Sequence, residues 1–266
     1  MKYYELLKFE LKNLLRDKMN ATMFVYPVIM VLMSVFLFPM LFRMEGVEGE
    51  GLQITMIIFV FALIGFGFMI ASVLLGFSLL DNKDEDTMQT IAVTPISKRG
   101  YVHFKLVYTY VIAVLSTIII LAGTKLFASG DYVLTYGSDT VYLFDSLTYL
   151  HIFVFAISSS LLVPALGLLI VGLSKNKVEG FAYMKASGIL IFIPMLVLFP
   201  AFQSAGQYLL SIFPNFWGVQ GVLNLMFPSL FLSGASLGFY AYMLIGAVVC
   251  TIYSFISYKF YMRRAI

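Results

Sequence analysis

The stretch QITMIIFVFALIGFGFMIASVLLGFSLL, residues 53–80, contains no Asp, Glu, Lys or Arg. A bilayer with a hydrocarbon core of about 30 Å requires roughly 20 consecutive apolar residues in helical form. The apolar residues of this stretch are continuous, whereas a membrane-spanning β-strand alternates apolar and polar residues. The stretch therefore predicts a transmembrane α-helix.

The whole chain has the composition of an integral membrane protein. Hydrophobic residues make up 61% of its 266 residues and charged residues only 12%, about half the share found in soluble domains. No domain boundary, repeat or linker is visible, so we predict a single domain over residues 1–266. The predicted fold is an all-α integral membrane protein, a six-transmembrane-helix bundle. Its predicted spans cover residues 21–42, 53–80, 105–127, 147–173, 186–206 and 237–258.

Lysine and arginine are distributed unevenly between the two sides of the membrane that six spans would define. All but two of the 17 basic residues fall on one face, and only Arg43 and Lys125 fall on the other. Cytoplasmic loops are enriched in Lys and Arg. The pattern therefore predicts that both termini are cytoplasmic and that the protein is a multi-pass protein of the cell membrane.

The amino-terminal stretch MKYYELLKFELKNLLRDK has the pattern of an amphipathic helix. We interpret residues 1–20 as an interfacial elbow helix that lies along the cytoplasmic surface. The alternative interpretation is a charged lead-in to the first span. The apolar stripe contains Tyr4, Leu7, Leu11, Leu14 and Leu15, and the opposite side carries Glu5, Lys8, Lys12 and Arg16.

The last quarter of the chain has no charged residue between Ala186 and Tyr258. Two spans account for roughly 45 of these residues. The segment between them, residues 207–236, is divided by Pro and Gly into pieces too short to cross a bilayer comfortably. We predict a re-entrant outer hairpin between helices 5 and 6, facing the extracytoplasmic side. An additional pair of spans is the alternative.

Sequence signatures of enzymatic chemistry are missing. The chain has no G-x-x-x-x-G-K-[ST] phosphate loop, no Gly-rich dinucleotide turn, and no Cys, His or carboxylate cluster at metal-binding spacing. We therefore predict no catalytic, cofactor or metal site in this chain. Charged residues also avoid the middle of every predicted span, where ion-coupled carriers keep relays and counter-ions.

The loop between the second and third predicted spans, residues 81–104, carries a helix signal. The acidic residues 84–86 suit the positive end of a helix, and Pro95 ends it. A short helix with a small apolar face is suited to docking in a groove of a soluble partner. The alternative is an ordinary solvated loop with a capped turn.

The stretch EDTMQTIAVTPISKRGYVHFK, residues 85–105, resembles the same loop in permeases of type-2 ABC exporters, which export drugs, peptides or polysaccharides. Asp86 stands where that family commonly has Gly, and Ile91 where it usually has Leu. VGLSKNKVEGFAYMKA, residues 171–186, is similar to the family's second cytoplasmic loop. The matching positions in the first loop are Glu85, Thr87, Ile91, Thr94, Pro95, Ile96, Ser97 and Lys105.

The resemblance implies a half-transporter of the prokaryotic cytoplasmic membrane. Such a permease pairs with a second, identical or different permease, and each contacts one copy of a separate ABC ATPase subunit that binds ATP and Mg²⁺. The first loop is then the coupling helix that docks on the ATPase, with no catalytic role in this chain. By this resemblance the coupling residues are Asp84, Glu85, Asp86, Thr87, Met88, Ile91, Thr94 and Pro95.

The substrate is indicated only by residue chemistry. The 26 phenylalanines, 17 tyrosines and 15 methionines suit an amphipathic drug, antibiotic peptide or lipid, although contact with membrane lipids explains most of them equally well. Helix capping and water binding are alternatives for the neutral polar residues near the outer hairpin. The candidates for a translocation path are Gln203, Gln207, Asn215, Gln220 and Asn224.

Two other functions are compatible with the sequence: an ion-coupled secondary transporter, and a non-transporting membrane anchor for a soluble partner. A carrier would transport with an ion gradient and no partner. An anchor would not transport at all. Nothing in the pattern indicates a nucleic-acid partner.

Overall fold

The computed structural model describes residues 4, 6–8, 10, 12, 18–44, 49–84, 96–136, 139–228 and 232–265, and most of them are helical. A π-helix, Met33–Leu37, joins the first two α-helices. Short 3₁₀ helices cover Ser129–Asp131, Ile193–Leu198, Pro200–Phe202 and Ser204–Ile212. The α-helices are α1 (Lys18–Leu32), α2 (Phe38–Phe42), α3 (Gly49–Asp84), α4 (Lys98–Ala128), α5 (Tyr149–Ser160), α6 (Leu162–Leu173), α7 (Lys177–Ser187), α8 (Ile189–Phe192), α9 (Pro214–Met226) and α10 (Phe239–Ala265).

Five helical segments in the described part of the chain are long and apolar enough to cross a membrane. They correspond to five of the six predicted spans, so the chain is a multi-pass helical membrane protein. We number them spans I to V: Val25–Phe42, Gly51–Lys83, Lys98–Asp131, Tyr149–Leu173 and Phe239–Arg264.

The predicted span at residues 186–206 is not one long helix. After α7 and the four-residue α8, the backbone continues through three short 3₁₀ helices. Pro194 and Pro200 lie at the starts of two of them. Proline lacks a backbone N–H and cannot continue an α-helical ladder, and Ser204 has a positive φ of 52°. The predicted count of six spanning helices is therefore not confirmed.

The segment predicted as a re-entrant hairpin contains α9, a helix of 13 residues. At 1.5 Å per residue, α9 is only about 20 Å long, which is too short to cross the bilayer core. Almost every side chain of α9 is buried, and the helix packs against α10 and α5. The structure thus shows a short buried helix here, while a re-entrant position in the membrane stays a prediction.

Spans II and IV form the centre of the bundle. In their most apolar windows, 67% of span II and 72% of span IV is buried, against 28% of span V. Helix α3 of span II packs against both α4 and α6, and α10 packs against α6 and α9. The exposed apolar side chains of the outer spans are those expected to face lipid.

Close helix contacts depend on small residues, as is usual in membrane bundles. At Gly67 in α3, an added Cβ would lie 2.4 Å from the Thr117 hydroxyl of α4. The hydroxyl of Tyr26 in α1 donates a hydrogen bond to the Gly67 carbonyl at 2.5 Å. Spans I, II and III therefore meet at Gly67.

A β-hairpin follows span III. The all-α prediction missed this hairpin. Strand β1 (Val133–Tyr136) pairs antiparallel with β2 (Asp139–Tyr142). Tyr132, just before β1, donates its hydroxyl to the Ser34 carbonyl at 2.9 Å, and burial raises the pKa of this hydroxyl. Four-residue strands are too short to give a clear alternating pattern in sequence. A two-stranded hairpin is marginally stable by itself, and Tyr132 connects this one to span I.

Candidate functional site

A cluster of five polar side chains, three buried and two half-buried, lies near the end of span II and the start of span III, which residues 85–95 connect in the chain. The Lys105 ammonium group donates to Glu10 Oε2 at 2.6 Å and to Ser78 Oγ at 2.5 Å. The Tyr101 hydroxyl donates to Glu10 Oε1 at 3.2 Å and accepts a hydrogen bond from Asn82 Nδ2 at 2.9 Å. We call these five residues the loop-end cluster.

Helical spacing explains how the loop-end cluster is assembled. Ser78 and Asn82 are four residues apart on α3, and Tyr101 and Lys105 are four residues apart on α4. Residues four apart lie on the same face of a helix, one turn apart. The two helices therefore present two polar pairs to each other, and the Glu10 carboxylate bridges the two residues of α4.

The Glu10–Lys105 ion pair is nearly removed from solvent, with side-chain exposures of 9% and 4%. Lys105 also lies over the Tyr101 ring, 5.4 Å from its centroid. A buried ion pair costs several kcal/mol of desolvation per ion, which is offset only when the partners are close and their remaining groups are hydrogen-bonded. Both oxygens of Glu10 and two donors of Lys105 are satisfied in this way.

Sequence analysis did not single out Glu10. A signal was present, because Glu10 lies three residues after Leu7 and four before Leu14, within the predicted apolar stripe. A carboxylate on the apolar face of a helix requires a buried cationic partner. The described residues 4, 6–8, 10 and 12 are helical, while the interfacial position of the elbow helix stays a prediction.

Further polar contacts join the second predicted cytoplasmic loop to the same end of the bundle. Lys177 forms an ion pair with Asp81 at 2.8 Å. The Lys83 ammonium group donates to the Ser174 carbonyl at 2.9 Å. The Arg264 guanidinium donates to the carbonyl of Gly172 at 3.2 Å. The stretch 171–186 is thus connected to spans II and V.

The predicted coupling residues lie almost entirely outside the described residues. Asp84 is the last residue of α3, and α4 begins at Lys98 with the Ser97 hydroxyl accepting from the Gly100 amide at 3.1 Å. The helices therefore extend into the predicted 81–104 loop from both sides. The predicted coupling residues outside the described part are Glu85, Asp86, Thr87, Met88, Ile91, Thr94 and Pro95.

Four of the five candidate path residues are buried around α9, and Gln203 is exposed. Gln207 accepts from the Tyr242 hydroxyl at 2.7 Å and donates to the Ser204 carbonyl at 2.7 Å. Gln220 donates to Asn224 Oδ1 at 2.9 Å. The other amide atoms of these two residues, Gln220 Oε1 and Asn224 Nδ2, are buried without a hydrogen-bond partner among the described residues.

Asn215 borders a small cavity between α5, α9 and α10. The Asn215 amide donates to the Leu190 carbonyl, while its Oδ1 and the neighbouring Ser159 hydroxyl have no partner among the described residues. The cavity has a volume of about 10 Å³ and is also lined by Gly218 and Gly246. A space of this size with two free polar atoms suits one water molecule.

This architecture defines the class of the protein as a multi-pass helical membrane protein with a polar cluster at one end of its bundle. In the described part of the chain, no group of three His, Cys, Asp or Glu side chains is placed to hold a metal ion.

The sequence model of one family, described as "Fluoroquinolones export permease protein Rv2686c-like", matches residues 10–258, and the chain belongs to this family. The match confirms the resemblance to exporter permeases noted for residues 85–105. No curated protein and no solved structure matches the chain.

Proposed function

We propose that this chain is the membrane-spanning permease subunit of an ATP-driven ABC exporter, working with a separate ATPase subunit. The observation that carries the proposal is the family match over residues 10–258, together with the exporter-like stretch 85–105. Two permeases, identical or different, would pair in the cytoplasmic membrane of a prokaryotic cell with two ATPase copies. Both termini would be cytoplasmic, in agreement with the distribution of Lys and Arg.

The loop-end cluster supports a coupling role for residues 84–95. Helix α3 has 36 residues and is about 54 Å long, so it can project beyond a bilayer core of about 30 Å. Contacts between Ser78 and Lys105 and between Asn82 and Tyr101 connect α3 to α4 on both sides of the loop. A push on the loop by a closing ATPase pair would then move the two spans together and open the pathway outward.

The proposed substrate class is amphipathic and includes the fluoroquinolones that give the family its name. Fluoroquinolones combine an aromatic ring system with polar and ionisable groups. The free amide atoms of Gln220 and Asn224 are suited to hydrogen-bond such groups in a state of the transporter that opens a path beside α9. Gln207 would contribute less, because both ends of its amide are hydrogen-bonded.

A pull-down of the tagged chain in mild detergent tests the proposed partner. We expect an ATP-binding subunit to co-purify with the wild-type chain and to be lost with Glu85→Arg, because the new positive charge would stand in the docking site. Asp145→Arg is the matched control: it changes an exposed carboxylate on the predicted opposite face and should retain the subunit. Transport that follows an ion gradient without an ATPase would instead indicate a secondary carrier, and the absence of both an ATPase partner and transport would indicate an anchor for another soluble partner.

Replacing Gln220 with methionine and Asn224 with leucine tests the proposed path. The double variant should be at least as stable as the wild type, because replacing two incompletely hydrogen-bonded buried amides with apolar groups is nearly neutral or favourable. Efflux of a fluoroquinolone from cells should nevertheless fall by about tenfold. This is the effect of losing hydrogen bonds to the substrate that together contribute roughly 1.4 kcal/mol. Unchanged efflux in the folded variant would contradict a role in the path.

A further inference from the structure

The ion pair between Glu10 and Lys105 is not explained by stability alone. Replacing a buried ion pair by apolar residues of similar volume is often neutral or stabilising, whereas removing one partner is strongly destabilising. Lys105 is also only seven residues after Lys98, the first residue of α4, close enough for a long lysine side chain to reach toward the bundle end. Its ammonium group instead points to Glu10 and Ser78.

The position of Glu10 connects a third chain segment to spans II and III. Its carboxylate uses Oε2 for Lys105 and Oε1 for Tyr101, and each of these side chains also contacts α3, through Ser78 and Asn82. Glu10 is therefore held at the contact between α3 and α4, near the ends of these helices that residues 85–95 connect in the chain. Asp81, a further carboxylate on α3, forms an ion pair with Lys177.

We propose that the Glu10–Lys105 ion pair makes the amino-terminal segment part of the coupling unit, by which we mean residues 84–95 together with the adjoining ends of α3 and α4. The pair holds the segment against α3 and α4, so that a displacement of the 85–95 loop moves three segments as one body. Without the ion pair, the ends of α3 and α4 and the amino-terminal segment move independently, and part of each displacement of the 85–95 loop is not passed on to the spans. Glu10 and Lys105 are positioning residues in this account, and the inference rests on the proposed exporter function.

The test uses the complete exporter, permease with its ATPase subunits, in lipid vesicles. The measured quantity is fluoroquinolone transported per ATP hydrolysed, which a purely structural contact would not change in a folded complex. In the double variant Glu10→Met, Lys105→Met, the ATPase should remain bound and hydrolyse ATP, while transport per ATP falls by about tenfold. This is within the 5- to 150-fold range of typical coupling between sites.

Two further variants make the result specific. The exchanged pair Glu10→Lys, Lys105→Glu should recover most of the lost transport per ATP, because Ser78 can donate to the relocated carboxylate and the Tyr101 hydroxyl can accept from the relocated ammonium group. A control double variant, Arg43→Met and Asp131→Met, removes an ion pair at the other end of the bundle, between the residue that follows span I and the last residue of span III. It should leave transport per ATP within about twofold of the wild type, because it does not contact the coupling unit.

Each outcome separates the inference from the proposed function. Unchanged transport per ATP in the folded Glu10→Met, Lys105→Met complex would overturn the inference and leave the exporter function intact. If that variant does not fold, the Glu10→Lys, Lys105→Glu variant provides the test. A folded complex of this variant with low transport per ATP would also overturn the inference. A wild-type chain that binds no ATPase would overturn the exporter function and the inference together.

Discussion

Replacing Gly67 with leucine is expected to abolish the accumulation of folded protein in the membrane. An added Cβ would lie 2.4 Å from Thr117 Oγ1 and 3.0 Å from Thr117 Cα. The hydroxyl can rotate away, but the backbone Cα cannot move without separating α3 from α4. The Gly67 carbonyl also accepts a hydrogen bond from the Tyr26 hydroxyl. A shift of α3 would therefore break the junction of three spans.

The cost of this substitution adds two effects. Overpacking a well-packed site typically costs about 1–3 kcal/mol, and Tyr26 is left with a buried hydroxyl that has lost its acceptor, at about 1–3 kcal/mol more. Helix association in a bilayer depends on van der Waals packing and hydrogen bonds, so both losses act directly on the bundle. We expect little or no monodisperse protein by size-exclusion chromatography in detergent.

Gly51→Ala is the matched control for Gly67→Leu. Gly51 belongs to the same helix, is exposed, and has no heavy atom within 4 Å of an added Cβ. Alanine is favoured over glycine in a helix by up to about 1 kcal/mol, so this variant should be at least as stable as the wild type. A stable, well-folded Gly67→Leu protein would show that spans II and III do not pack as closely as described.

The second large effect is expected for Phe216→Ala in α9. Phe216 is fully buried, and its ring contacts Tyr208, Trp217 and Tyr242 at centroid distances of 6.5, 5.4 and 6.4 Å. Truncating a buried phenylalanine to alanine costs roughly 3–5 kcal/mol because of the cavity that remains. The thermal unfolding midpoint in detergent should fall by several degrees or more.

Phe216→Ala should also lower transport, because α9 carries Gln220 and Asn224 and loses the ring contacts of Phe216. Phe199→Ala is the control: Phe199 lies in the neighbouring segment with 60% of its surface exposed, and its loss should change the unfolding midpoint little. Equal destabilisation by the two substitutions would contradict the packing of α9 described above.

Five of the predicted spans could be located from the sequence, because uninterrupted apolar runs are required by the bilayer itself and need no tertiary partner. The region after α7 was more difficult. Its composition is as apolar as that of a span, but Pro194, Pro200 and the positive φ of Ser204 divide it into short helices. Hydropathy averages over such breaks and cannot detect them.

The candidate site could be predicted only in part. Lys105 and Ser97 were identified through the exporter-like stretch, but neither the partner of Lys105 nor the role of Glu10 was. Glu10 and Lys105 are 95 residues apart in the chain, so no local pattern connects them. The amide groups of α9 were identified from composition, whereas their burial and the unpaired atoms of Gln220 and Asn224 required the packed structure.

The sequence by itself determined that this chain is a multi-pass helical membrane protein with an exporter-like loop, because apolar length and local motifs are properties of contiguous residues. Only the tertiary structure decided that Glu10 is joined to Lys105, that α9 is a short buried helix, and that β1 and β2 form a hairpin anchored to Ser34. These features depend on which distant groups satisfy one another's charge and hydrogen-bonding requirements away from water. That pairing is set by the packing of the whole bundle.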